Sequence, residues 1–230
     1  TAPVFQLYFG FNGPGQVPTL SPNGTVAFAW IGGDGVTPQI QTYRDGIITP
    51  VADLDPAITT GYPFHFSVND SGAVAFYGKL AGQAPGVYVA DGVSVTPVTL
   101  PGGFAANPLG LDGPVAFNNH GEIIFTGFNS HTMTRGIWTT GTADEAIVEI
   151  GDPLDGSTIQ SISFGPEGLN DLGQIAFAAT LADGRSGVFV LTPVPEPSTL
   201  AMLVAGTTVL AAGALRRRCR PWGCHWRSSR

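Results

Sequence analysis

Four acids, Glu149, Asp152, Asp155 and Glu167, fall close together in the chain, and they are the residues best suited by type to chemistry. Paired carboxylates perform glycoside hydrolysis, one protonating the leaving oxygen and the other serving as base or nucleophile. The local sequence favours a plainer reading, because Gly151-Asp152-Pro153 and Asp155-Gly156 are ordinary turn sequences. Asp53-x-Asp55 offers two carboxylates to a cation, and acidic loops admit structural calcium, but no Asp-x-Asp-x-Asp-Gly loop is present. His65, His120 and His131 lie in different parts of the chain without the Ser or Cys setting of a nucleophile elbow. Cys219, Cys224 and His225 make a Cys-x4-Cys-His with no second pair, a poor zinc site. No catalytic residue, cofactor or metal site is therefore expected, structural calcium being the one ion the loops admit.

These side chains must be held by a scaffold that is unusually poor in charge. Charged residues are 12% of the chain, about half the usual share, while Gly (32) and Pro (19) are in excess. Many short strands and turns fit that balance better than helices with charged outer faces. Through Pro193 there are 16 acids and four basic residues; beyond it stand six Arg and one Glu. So acidic a body repels phosphate backbones, which excludes nucleic acid as a partner. Both cysteines lie after residue 218, leaving the body without a disulfide. The chain begins at Thr1 with no basic-then-apolar leader, as expected for a processed signal peptide or a fragment.

The scaffold is written four times. Ser21-Pro-Asn-Gly-Thr-Val-Ala-Phe28, Asn69-Asp-Ser-Gly-Ala-Val-Ala-Phe76, Asn118-Asn-His-Gly-Glu-Ile-Ile-Phe125 and Asn170-Asp-Leu-Gly-Gln-Ile-Ala-Phe177 recur at a spacing of about 50 residues. Asn23 and Gly24, Asn69 and Gly72, Asn118 and Gly121, and Asn170 and Gly173 supply tight turns. The strands they lead into, closing on Phe28, Phe76, Phe125 and Phe177, alternate bulky and small apolar residues, as a strand covered on both faces does. A second strand follows each, at Gln39–Tyr43, Gly86–Ala90, Gly136–Thr140 and Gly187–Leu191. A third follows in three units, at Ile47–Val51, Val93–Val98 and Ala146–Ile150, and Pro50 and Pro97 place it at a sheet edge. Short aromatic segments such as Phe64–Phe66 and Ile162–Phe164 complete four antiparallel strands per unit, the make-up of a propeller blade. The expected fold is all-β, a propeller-like domain of about four blades over residues 1–192. The fourth unit lacks a third strand, and the spare apolar Val4–Phe9 is expected to complete it if the ring closes. Tyr88, Trp138 and Phe189 recur in the second strand; they suit a glycan-stacking surface, but packing between units is the expectation.

After the repeats come Pro195-Glu196-Pro197 within a linker at 193–197, an uncharged run at 198–215, and a basic end at 216–230 opening with Arg216, Arg217 and Arg218. The run has the minimum length for a transmembrane helix, and the arginines are expected on the cytoplasmic side. These three parts in order resemble the PEP-CTERM sorting signal of Gram-negative bacteria, in which an exosortase recognises the signal and removes the helix during export. The sequence departs from that pattern in the extension from Cys219 to Arg230. The Asn-x-x-Gly-x-x-Ala-Phe-x-Ala units of residues 20–192 are themselves similar to tandem repeats of exported proteins with such anchors. The resemblance implies an exosortase and the inner membrane as partners. Its further implication is a non-enzymatic protein of the cell surface or extracellular matrix, associated with exopolysaccharide or biofilm. A propeller-fold carbohydrate-active hydrolase or lyase is the alternative, and a segment of a longer array is a third reading.

Overall fold

Apolar strands punctuated by glycine turns form antiparallel hairpins most readily, because each hairpin satisfies the backbone of its neighbour locally. The computed structural model describes residues 18–31, 38–55, 65–106, 111–141 and 146–193. The chain divides after Thr192 into two units, and the described structure concerns the first. It is all-β, with one five-residue helix, α1 (Gly102–Ala106), among the described residues.

Sheet one runs β1 (Thr19–Leu20), β2 (Val26–Ile31), β3 (Pro38–Arg44) and β4 (Ile47–Asp53). Sheet two runs β5 (His65–Val68), β6 (Val74–Gly78), β7 (Gly86–Ala90) and β8 (Val95–Pro97). Sheet three repeats this with β9 (Leu111–Phe117), β10 (Ile123–Asn129), β11 (Thr134–Thr139) and β12 (Val148–Glu149). Pro50 and Pro97 do sit in outermost strands, where a missing N–H costs no ladder bond. The fourth sheet is β13 (Pro153–Leu154), β14 (Ser157–Ser163), β15 (Ile175–Leu181) and β16 (Ser186–Leu191). Its extra strand lies on the β14 side, so among the described residues the sheet ends outward at β16. Val4–Phe9, the segment expected there, lies outside the described residues.

Each signature places its glycine at positive φ (85° at Gly72, 71° at Gly173), then sends a strand into the sheet with alternate residues on opposite faces. The faces pack in a fixed stagger. Ala27, Ala29 and Ile40 of sheet one meet Phe66, Phe76 and Tyr88 of sheet two. Ala75, Tyr77 and Val87 of sheet two meet Phe117, Phe125 and Trp138 of sheet three. Ala116, Ile124 and Ile137 of sheet three meet Phe164, Ile175 and Phe177 of sheet four. The face that carries the signature alanine or its aliphatic counterpart in one sheet, the small-residue face although it includes Tyr77 in sheet two, thus receives the face of the next sheet that carries the signature Phe. The rule stops at sheet four. Ile40, Val87 and Ile137 are 0%, 1% and 0% exposed, whereas their counterpart Val188 is 78% exposed, and Ala176 and Ala178 beside it are exposed too.

No helix among the described residues is long and apolar enough to cross a membrane. The run at 198–215, Pro195-Glu196-Pro197 and the cluster Arg216–Arg218 all lie outside the described residues.

Candidate functional site

The signature turns hold the units in register. Asn69 Oδ1 accepts from the N–H groups of Ser71 and Ala73, and Asn118 and Asn170 repeat that pattern on their own turns. In the first unit Ser21 takes this place, its Oγ accepting from Thr25 N–H at 3.1 Å. Asn23, which stands three positions before Val26, accepts from Thr25 and Ser21 and reaches sheet two instead. Its N–H donates to Asp70 Oδ1 at 2.9 Å. Asp70 N–H donates to Asn119 Oδ1 at 2.7 Å, and Asn119 N–H to Asp171 Oδ1 at 2.8 Å. Asn119 Nδ2 spans both neighbours, giving 2.8 Å bonds to Asp70 Oδ2 and Asp171 Oδ2. These contacts make a ladder through all four turns. They pull Asp171 below the usual carboxylate range, the Asn119 N–H being the leading cause.

The ladder brings one segment of every unit to a shared cavity of about 860 Å³. Its walls are Pro18–Pro22 from the first unit, His65 and Phe66 from the second, Pro114 from the third, and Phe164, Pro166 and Glu167 from the fourth. That volume lies within the range of small-molecule sites. Ser67 Oγ donates to Pro166 O at 3.2 Å, tying the second unit to the fourth beside it. Thr19 is buried in this wall, and its Oγ1 finds no hydrogen-bond partner. Four prolines supply carbonyl acceptors and C–H faces without an N–H, while Thr19, Ser21 and His65 bring side chains that can donate as well as accept. Glu167 is the one carboxylate of the wall among the described residues, and partial desolvation raises its pKa above the ordinary value. Such a wall can contact a ligand with an apolar face and with both donating and accepting polar groups.

A smaller cavity of about 260 Å³ lies beneath the turns, lined in part by Asn69, Asn118, Asn170, Glu167 and Asp171. The other acids sit in turn and surface roles. Asp152 Oδ2 accepts from Glu149 N–H at 2.9 Å, and Asp155 holds a turn at positive φ while pairing with Arg185. Asp53 accepts from Gln39 Nε2, and Asp55 pairs with Lys79 Nζ at 2.9 Å. The structure thus separates Glu167 from the three acids with which the sequence grouped it. His120 and His131 are exposed, whereas His65 lines the large cavity. Trp138 and Tyr88 are buried between sheets, Trp138 donating from Nε1 to Gly127 O at 3.2 Å, while Phe189 is half-buried. Phe28, Phe76, Phe125 and Phe177 are all core. The cavity prolines carried only a partial sequence signal: Pro114 and Pro166 each stand four residues before their unit's turn Asn, whereas Pro18 and Pro22 flank Ser21 and unit two has His65 at this place.

Two family models match the chain. Residues 193–218 match the PEP-CTERM protein-sorting motif, and residues 100–201 match a family of unknown function (DUF7453). The chain therefore carries a PEP-CTERM signal at its C-terminal end, which implies an exported protein processed by an exosortase. No curated protein matches it.

Proposed function

We propose that this is a non-enzymatic saccharide-binding domain of the cell surface or extracellular matrix, its four sheets acting as the blades of a small propeller. The observation that carries the reading is the cavity onto which all four units open. Its position suits the axial site of a propeller, and its largely apolar wall, with Thr19, Ser21, His65 and Glu167 as polar groups, suits a sugar ring. Hydroxyl groups of a sugar donate to the proline-flanked carbonyls and to Glu167, while its C–H face lies on Phe66 and Phe164. Export through the PEP-CTERM signal supports this reading, since exopolysaccharide would be met outside the inner membrane. In this reading the apolar run at 198–215 is a transient inner-membrane helix, and Arg216–Arg218 stay cytoplasmic until the exosortase acts.

Binding of the purified full chain to size-graded neutral and amino-sugar oligosaccharides, by calorimetry, tests the proposal. Saturable binding that weakens in Glu167→Gln is expected. No binding to any of them, or binding unaffected by changes at Glu167 and Phe164, would refute it.

A second reading, a glycoside hydrolase, draws on one observation. Glu167 and Asp171 both line the smaller cavity and their pKa values move apart, upward for Glu167 and downward for Asp171. Against it, both Asp171 oxygens are already engaged by Asn119. Release of reducing ends from a bound oligosaccharide, abolished in Glu167→Gln, would favour the hydrolase.

A further inference from the structure

Sheet four is open in two ways that the other sheets are not. Among the described residues its outer edge is β16, whereas β3, β7 and β11 are each covered by a further strand. The consequence shows in the aromatic series. Tyr88 and Trp138, beside β8 and β12, are 3% and 0% exposed, yet Phe189, at the equivalent place in β16, stays half-buried although it stacks on Phe177 at 5.8 Å. Leu191 is half-buried as well. The small-residue face is the second opening, with Val188 and Val190 78% and 61% exposed opposite Ala178 and Ala176. No charged residue occupies that face: from Ala176 to Thr180 and from Ser186 to Val190 it carries Ala, Val, Thr and Ser. An apolar, uncharged edge of this kind recruits a strand unless something covers it.

We propose that β16 is a strand-accepting site whose occupant is the chain's own Val4–Phe9, and that this clasp draws sheet one over the Val188 face. The segment fits on chemistry. Phe5, Leu7 and Phe9 share one side of an extended strand and match the half-buried Phe189 and Leu191; Val4, Gln6 and Tyr8 share the other and continue the Val188 side. Residues 10–17 link it to β1, and eight residues span up to about 28 Å when extended, enough to cross from one sheet to its neighbour. Sheet one is the partner that the stagger requires, since each small-residue face takes the aromatic face of the sheet that follows. Sheets one and four already share the walls of the large cavity. The proposal rests on the propeller reading of the four sheets.

Hydrogen exchange and thermal melting of the full chain in detergent micelles test the clasp, with Cys219 and Cys224 replaced by Ser. In the parent, those amides of residues 186–191 that do not bond to β15 are expected to be protected. The Phe5→Asp/Leu7→Asp variant should lower that protection by at least about tenfold and leave β6 and β10 unchanged. Val188→Lys should lower Tm by several degrees, because the clasp buries the site; Val188→Thr, a milder change, serves if the lysine variant does not fold. Unprotected outer amides together with a neutral Val188→Lys would overturn the clasp while leaving an open arc of four intact sheets. Protection that rises with protein concentration and survives the Phe5/Leu7 changes would mean that a second copy covers the edge, and would overturn it equally. Loss of protection in all four sheets of the parent would instead refute the propeller reading itself.

Discussion

Trp138 tests whether the repeated aromatics hold sheet to sheet or face a ligand. Its indole is fully buried against Phe104, with centroids 5.3 Å apart, and its Nε1–H satisfies Gly127 O. Trp138→Phe keeps an aromatic ring but leaves a buried carbonyl without its donor and a void where the second ring was. An orphaned buried acceptor costs about 1–3 kcal/mol, and a central estimate for the variant is about 2 kcal/mol. Trp138→Ala removes the whole ring and should cost about 3–5 kcal/mol. For a domain of this size, each kcal/mol moves Tm by about 2–4 °C, so Trp138→Phe should melt about 4–8 °C below the parent. Circular dichroism melts, with urea titration as a second measure, read the effect. Saccharide binding of the folded variants should not change, because Trp138 is absent from the cavity walls. If Trp138→Phe melts with the parent while oligosaccharide binding is lost, the aromatic series is a binding surface and the stagger is not what holds the sheets.

Gly136→Ala should destabilise by about 1–3 kcal/mol, since a Cβ there would lie 2.4 Å from Val148 O and must displace the β12 backbone; raised exchange at Val148 would mark the site of damage. Acid should loosen the turns. Asp171 and Asp183 are depressed, by the Asn119 and Arg185 N–H groups first, so their contribution is full above the unfolded carboxylate pKa and fades as pH falls through their folded values. Glu167 is raised and acts in the opposite sense, its contribution being full below its unfolded pKa and lost as pH rises through the folded one. A pH series of melts on the parent and Asn119→Ala should therefore show a weaker acid dependence in the variant; identical curves would remove the ladder from the explanation. Glu167→Gln should weaken amino-sugar binding by about tenfold, equivalent to about 1.4 kcal/mol, with neutral sugars less affected. Replacing Pro195, Glu196 and Pro197 with Ala should leave the exported chain unprocessed, read as an intact mass extending to Arg230.

The strands were legible because two signals coincide in each unit: a glycine that must take positive φ and a run alternating small with bulky apolar residues. Gly72 with Val74–Gly78 is the plainest case. The first unit was harder, since Asn23 resembles the turn asparagine while the hydrogen bonds give that office to Ser21. A short hydroxyl can replace a carboxamide in a tight turn, and identity alone does not separate them. The cavity was not legible. Pro114 and Pro166 do share a place, four residues before the turn Asn of their units, but Pro18 stands three before Ser21 and unit two has His65 there, and only the convergence of four units makes them one wall. The acids follow the turn reading that the local sequence favoured, Asp152 and Asp155 being spent on a turn and on Arg185, while the placing of Glu167 on a cavity wall had no sequence signal.

The ladder has a direction, and it distinguishes the units that their sequences make look alike. In units two and three the second turn residue donates its N–H to the side chain of the next: Asp70 to Asn119, then Asn119 to Asp171. Unit one has Pro22 at that place, which has no N–H, and the bond shifts by one residue to Asn23. Pro22 also has no side-chain acceptor, so Asp171 cannot pass the ladder on to it. If the four sheets close into the proposed ring, the junction between the fourth and first units is made by something other than the repeated turn. Strand pairing at β16 and apolar contact at Val188 are the two means that sheet four still offers. A substitution Pro22→Asp would supply both missing groups at once. It should raise Tm if the first turn lies beside the fourth, as the shared cavity requires, and an unchanged or lowered Tm would place the two turns apart.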